Sequence, residues 1–247
     1  MGKWIIVLGC AFSGILCNRA TAAIKYSDDF STGLNPLVWT TEKTAASYTI
    51  DAAHGDVRMS APANAGLAYR AARVHFTPKV MGDFDMQVDF HDANLALVNF
   101  SGQAANQIAL HSQFGGQHFA TTRDIATVEG NNYHVYLNPP GQTYGVTPTT
   151  DLAGTLHVIR KGNLYSGWIN STKIFESTFN VTNPSDLWFS LENNQTNDAI
   201  SVVYDNFSIN ADQIIGLPPA TAPLPAGIWS GLLGAGMLAG TRRWFRK

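Results

Sequence analysis

Hydrolysis of a glycosidic bond needs two carboxylates facing each other, one to give a proton and one to attack or to activate water. The chain holds four glutamates, Glu42, Glu129, Glu176 and Glu192, and no two are close in sequence. Its best carboxylate row is Asp83-x-Asp85-x-x-x-Asp89. In a strand these three share a face, which is ordinarily a solvated one. Seven histidines, His54, His75, His91, His111, His118, His134 and His157, are scattered with no His-x-His and no His-Glu-x-x-His. A zinc site would need a third ligand beside His111 and His118, which flank a glycine turn and could face one another. The histidines therefore read as exposed strand and loop residues. No Gly-x-Ser-x-Gly elbow supports a serine nucleophile. No catalytic residue is assigned.

Sugar binding asks for different groups: flat apolar rings bordered by amides and carboxylates, because pyranose rings stack while their hydroxyls hydrogen-bond. Trp168, Trp188, Tyr136, Gln113 and Asn194 are the candidates. Tyr133 alternates in phase with Val135 and Leu137 and reads as core, whereas Tyr136 shares its face with His134. Trp168 falls beside Ser166 and Asn170, and Trp188 beside Ser190 and Glu192, so both lean outward. An outward tryptophan on a sandwich strand can equally be covered by a loop.

These residues sit on short runs of alternating character separated by Gly, Asn, Asp and Pro clusters. Phe84, Met86, Val88 and Phe90 alternate with aspartates and a glutamine; Ile108–Phe114, Tyr133–Leu137, Leu187–Leu191 and Ile200–Tyr204 read the same way. Leu156–Arg160 and Leu164–Ile169 flank Lys161-Gly-Asn163, a hairpin signal. No amphipathic helix of three turns is evident, so the expected class is all-β, a two-sheet antiparallel sandwich. Only 14% of residues are charged and the net charge is −2, with no basic stripe for nucleic acid.

The ends carry a different signal. Lys3 precedes an apolar run, Trp4 to Leu16, and Ala20-Thr-Ala22 is a small-x-small cleavage site, so 1–22 reads as a signal peptide. Both cysteines, Cys10 and Cys17, fall inside it, leaving the expected mature chain without disulfides or thiolate sites. The domain is expected over 23–210, followed by a Pro-rich linker over 211–222. Residues 223–247 combine Pro223-Leu224-Pro225-Ala226, an uncharged run to Gly240, and an end bearing Arg242, Arg243, Arg246 and Lys247. As a helix, that run would reach about 22 Å, short of a roughly 30 Å hydrocarbon core. It reads as a short transmembrane sorting helix rather than a durable span.

This tail resembles the PEP-CTERM sorting signal in its Pro-Leu-Pro-Ala form. That resemblance implies cutting by an exosortase, a membrane protease of exopolysaccharide-producing Gram-negative bacteria. A second resemblance covers most of 26–210. Tyr26-Ser-Asp-Asp-Phe-Ser31 with Trp39, Gly82–Phe90, Leu156–Asn163 and Val203-Tyr-Asp-Asn-Phe-Ser-Ile209 follow the order of the concanavalin A-like lectin/glucanase superfamily, the laminin-G-like jelly rolls. It implies a jelly roll whose first and last strands pair. Its hydrolases use patterns such as Glu-x-Asp-x-Glu, from which this sequence departs. Its members often bind calcium, which makes Asp28 or Asp29 with Asp205 the metal candidates, though no cofactor is required.

The resulting expectation is an exported surface or extracellular-matrix protein of a Gram-negative envelope. It is non-enzymatic and binds or sits in exopolysaccharide, with the membrane as a partner before processing and no nucleic acid. The alternatives are a glycan hydrolase or lyase on the same fold and a purely structural surface protein.

Overall fold

The computed structural model describes residues 23–63, 69–96, 105–126, 130–138, 142–181, 184–193 and 198–219. The signal peptide expected over 1–22, the sorting tail expected over 223–247 and Asn194 lie outside the described residues. In chain order the strands are β1 (Ile24–Asp28), β2 (Trp39–Lys43), β3 (Thr49–Asp51), β4 (Val57–Ala61), β5 (Arg70–Asn94), β6 (Ala105–Phe114) and β7 (Gln117–Ala126). They continue with β8 (Gly130–Asn138), β9 (Gln142–Pro148), β10 (Gly154–Lys161), β11 (Leu164–Ile169), β12 (Thr172–Thr178), β13 (Ser185–Asn193) and β14 (Ile200–Ile215). All pairings are antiparallel, and no helix among the described residues is long and apolar enough to cross a membrane.

The 25-residue β5 belongs to both layers. Its first half pairs with β2 and β13, and the order β13-β6-β7-β8-β9 then completes the first sheet. Its second half pairs with β10 and β14; β10 leads to β11 and β12, while β14 carries β1 and β4, and β3 adds to β4. Gly82 lies where β5 passes from one sheet to the other, at φ +75. A Cβ there would meet the Asp212 carboxylate at 2.6 Å, and that same carboxylate accepts the Asp83 N–H at 2.9 Å. Only glycine fits this crossing.

The two sheets pack face to face. Gly167 on β11 lets the layers approach, because its missing Cβ would lie 2.4 Å from Val135 Cγ2 on β8 and 2.6 Å from Thr121 Oγ1 on β7. At one end, Trp39 touches Phe76, Phe189, Phe30 and Phe207, the last edge-on at 4.9 Å. Its indole N–H donates to Asp28 Oδ2 at 2.8 Å, Tyr26 OH donates to the same oxygen at 2.9 Å, and Phe30 N donates to Oδ1 at 2.8 Å. Such aromatic contacts add about 0.5–1.5 kcal/mol each beyond area burial. The first and last strands do pair, with Asp28 opposite Phe207. Among the described residues the sandwich is all-β and antiparallel, as the alternation indicates.

Candidate functional site: the outer face of the first sheet

Cross-strand pairing lays out the outer face of the first sheet row by row. One row runs Thr40, His75, Trp188, His111, Ala120, Tyr136. The next runs Glu42, Arg73, Ser190, Ala109, Thr122, His134, and the third Ala71, Glu192, Gln107, Asp124, Asn132. None of these is an aliphatic residue larger than alanine. The aliphatic and aromatic bulk, including Val74, Phe189, Leu110, Phe119 and Val135, alternates to the inner face. A sheet that needed only a solvated exterior would not set tryptophan, tyrosine and four histidines among carboxylates there.

The rings of the first row stack across strands. Trp188 has His111 on one side at 4.7 Å and 10°, and His75 packs against it at 5.6 Å and 32°. His118 fills the gap above Ala120, 4.9 Å from His111, and Tyr136 meets it edge-on at 5.7 Å. His118 also stacks on Trp188 at 5.2 Å and 22°, so three imidazoles surround this half-buried ring, whose indole N–H is buried without an acceptor.

A chain of hydrogen bonds runs beneath the rings. Gln107 Nε2 donates to Glu192 Oε2, and Ser190 Oγ donates to Glu192 Oε1 at 2.9 Å. His111 Nε2 lies 2.7 Å from Ser190 Oγ and 3.4 Å from Glu192 Oε1, and His111 Nδ1 lies 2.7 Å from His118 Nε2. Burial pushes the Glu192 carboxyl up, but the His111 and Gln107 hydrogen bonds outweigh it and bring it down to about 2. Burial, then the neighbouring His111, push the His118 imidazole down to about 3, and burial lowers His111 as well. The face at neutral pH therefore holds an ionised Glu192 and two neutral imidazoles. Nearby, Glu42 accepts two bonds from Arg73 Nη1, each 3.1 Å, and lies 3.0 Å from His75 Nε2. Burial raises the Glu42 carboxyl, yet Arg73 holds it below its ordinary value. A second buried pair, Asp124 Oδ1 and His134 Nδ1, meets at 3.2 Å.

No family model and no curated protein matches the sequence. Solved structures do match in fold. One comes from work on endo-acting O-glycanases that initiate mucin breakdown in members of the human gut microbiota. It has TM-score 0.59 and 8% identity, over 75% of this chain and 98% of that one. Another is SCLam, a non-specific endo-β-1,3(4)-glucanase from family GH16, with TM-score 0.57 and 8% identity over 76% and 90%. A third is the carbohydrate recognition domain of Emp47p, with TM-score 0.51 and 14% identity over 78% and 98%. The fold is the concanavalin A-like jelly roll.

The residues singled out from sequence divide between sites. Trp188, Tyr136 and Gln113 share the outer face of the first sheet. Trp168 is on the opposite side of the sandwich, half-buried on the outer face of β11. Its N–H donates to Ser166 Oγ at 2.9 Å, and Lys173 Nζ lies 6.0 Å from its ring. Asp28, Asp29 and Asp205 do not converge. Asp28 is occupied by the three donors of the Trp39 cluster, Asp29 accepts from Ser31 N, and Asp205 accepts from Asn206 N. Among the described residues no three His, Cys, Asp or Glu side chains could hold a metal ion.

The Asp83, Asp85 and Asp89 row is a partly solvated face, bound to Gly162 N, His157 and Thr155. His111 and His134, read from sequence as exposed, are each 2% exposed. They alternate onto the outer face, but tall neighbours close over them. Sequence reasoning also passed over Gln107 and Arg73, read His75 only as an exposed histidine and took Glu42 only as an isolated glutamate. Their signal was the shared parity of Gln107, Ala109 and His111, which only strand pairing places beside Glu192.

Proposed function

We propose that the protein is an exported, non-enzymatic carbohydrate-binding component of the cell surface or extracellular matrix. Its glycan lies on the outer face of the first sheet. The observation that carries this reading is the aromatic row His75–Trp188–His118–Tyr136, bordered by Glu42, Arg73 and Gln107 on one flank and Gln113 and Asp186 on the other. From β5 to β8 the row spans four strand spacings, about 19 Å, a length suited to an oligosaccharide rather than one sugar. The partly exposed ring of Tyr136 would take a sugar face while the flanking groups bond hydroxyls.

Export and retention rest on the sequence of the ends: a signal peptide, then a Pro-Leu-Pro-Ala tail that an exosortase-type protease would cut after brief membrane insertion. Glycan-array binding by the full-length chain, lost with Tyr136→Ala, is the test of the binding reading. Failure to bind any polysaccharide would sink it. Intact mass of the protein recovered from its host tests the sorting reading. A mature form that keeps Arg242 to Lys247 overturns it.

Glycan hydrolysis has one observation in its favour. Glu192 and Asp124 share a row with Gln107 between them, two strand spacings or about 10 Å apart at Cα. Inverting glycosidases hold their carboxyl groups about 6.5–9.5 Å apart, with access for substrate and water, whereas Glu192 is 4% and Asp124 2% exposed. Release of reducing ends by the wild type, abolished in Asp124→Asn, would replace the binding reading with this one.

A further inference from the structure

We infer that His118 Nδ1 is fixed as a hydrogen-bond acceptor by the chain running from Glu192, so that this face selects an uncharged glycan rich in free hydroxyls. It discriminates against ligands that offer only acceptors there, such as a polyuronate carboxylate or an O-methylated sugar. The inference deepens the glycan-binding reading above and rests on it for the ligand, but the hydrogen order can be read without any ligand.

The order follows from the one member of the chain that cannot donate. Glu192 is a carboxylate with Gln107 Nε2, Ser190 Oγ, His111 Nε2 and the Tyr69 hydroxyl around its two oxygens, so all four must bring hydrogens. Ser190 has a single hydroxyl hydrogen and spends it on Glu192 Oε1 at 2.9 Å. The 2.7 Å contact between Ser190 Oγ and His111 Nε2 then needs the hydrogen on the imidazole, which also suits the 3.4 Å approach of that nitrogen to Oε1. The opposite order would aim a lone pair of His111 at a carboxylate and leave one serine hydrogen for two acceptors.

With Nε2 protonated, neutral His111 has its lone pair on Nδ1. The 2.7 Å contact there must be donated by His118 Nε2–H. Neutral His118 has one ring hydrogen, now used, so its Nδ1 carries a lone pair. That nitrogen makes no hydrogen bond to the described residues, and the ring, though mostly buried, keeps some exposed surface. The depressed titration of both imidazoles agrees with their being neutral.

The remaining charge on the face points the same way. Arg73 is paired with Glu42, and Lys79 Nζ with Asp186, so among the described residues these cations of the face are already committed to carboxylates. Glu42, Glu192 and Asp186 leave a surplus of negative charge and acceptors. A hydroxyl can donate to His118 Nδ1; an ether oxygen or a carboxylate meets it lone pair to lone pair.

The test begins with nitrogen–proton correlation NMR of the 15N-labelled full-length chain in detergent micelles, with His118→Gln used for assignment. The expected result is an unprotonated Nδ1 and a protonated Nε2 on His118, and a protonated Nε2 on His111. Glu192→Gln should reverse all of it. Its amide oxygen stays with Gln107, its NH2 donates to Ser190, Ser190 donates to His111 Nε2, and His118 Nδ1 ends as a donor. Binding is then measured with neutral β-glucan oligosaccharides against oligouronates of matched length. The wild type should prefer the glucan by about tenfold or more, the effect of one mismatched hydrogen bond, and Glu192→Gln should narrow that gap. A protonated His118 Nδ1 in the wild type overturns the inference whatever binds, and this reading does not depend on Glu192→Gln folding. Correct tautomers with no binding of either glycan overturn the glycan reading and the selectivity together. Equal binding of both overturns the selectivity alone.

Discussion

Acid should destabilise this fold through His118 before it does so through the carboxylates. The folded His118 titrates near about 3 against an ordinary 6.5, because burial and His111 disfavour its charged form. Below 6.5 the unfolded chain binds a proton that the folded chain refuses, so the contribution is whole above that value and fades as pH falls toward 3. Each unit is worth about 1.4 kcal/mol, so descending from about pH 7.5 to about pH 4.5 removes on the order of 2–3 kcal/mol at this one side chain. His111, shifted in the same direction, adds to the loss. Glu192 is depressed from 4.5 to about 2, so its stabilising share is lost only in that lower window. The assay is urea unfolding followed by tryptophan fluorescence at both pH values, for wild type and His118→Gln. The variant removes the His118 proton site while His111 remains, so the wild-type advantage should shrink by about 3 kcal/mol at the lower pH. Parallel pH dependences in the two proteins would refute the reasoning. His118 would then be an ordinarily titrating surface imidazole, and the stacked row would not be as dry as its geometry implies.

Further outcomes follow from the packing. Gly167→Ala forces a methyl to within 2.4 Å of Val135 between the sheets, so thermal unfolding should show a loss of about 1–3 kcal/mol. Trp168→Ala should leave glycan binding unchanged in the assay where Tyr136→Ala abolishes it, because the two rings lie on opposite sides of the sandwich; loss in both would move the site. Trp188→Phe keeps an aromatic ring between His75 and His111 and deletes a buried N–H without an acceptor, so its melting temperature should hold or rise. Chelation with EDTA should leave the melting temperature unchanged, since Asp28 is already spent on Tyr26, Trp39 and Phe30.

Alternation made much of the sandwich legible. The strands around Phe84–Phe90, Ile108–Phe114, Leu156–Arg160 and Leu187–Leu191 lie where period-two patterning puts them, and Gly162 turns the hairpin at φ +59. The inward Tyr133 and outward Trp168 and Trp188 also follow from parity. Parity could not say which sheet a strand joins, and so could not reveal that the two tryptophans face opposite sides. Nor could it show β5 crossing between layers, because Gly82 looks like any glycine until Asp212 is seen against it. The hydrogen-bonded chain was hidden for a related reason. Glu192, Ser190, His111 and His118 come from three strands, and only the register of β13 on β6 and β6 on β7 brings them together.

The closure of β1 by β14 bears on when this protein can fold. Ile24–Asp28 has no hydrogen-bonded strand partner until Phe207–Ala211 has been made, and the two are separated by nearly the whole domain. β5 likewise waits for β10, β13 and β14, so although β10, β11 and β12 can pair locally, none of the pairings that β5 makes with β10, β13 and β14 can. Contacts this distant in sequence make folding slow. A nascent chain stays unfinished, and therefore threadable, for as long as its last strand is still missing. Under the export proposed above, such delay would be an advantage to a chain crossing a membrane in extended form, and folding would be completed on the far side once β14 arrives.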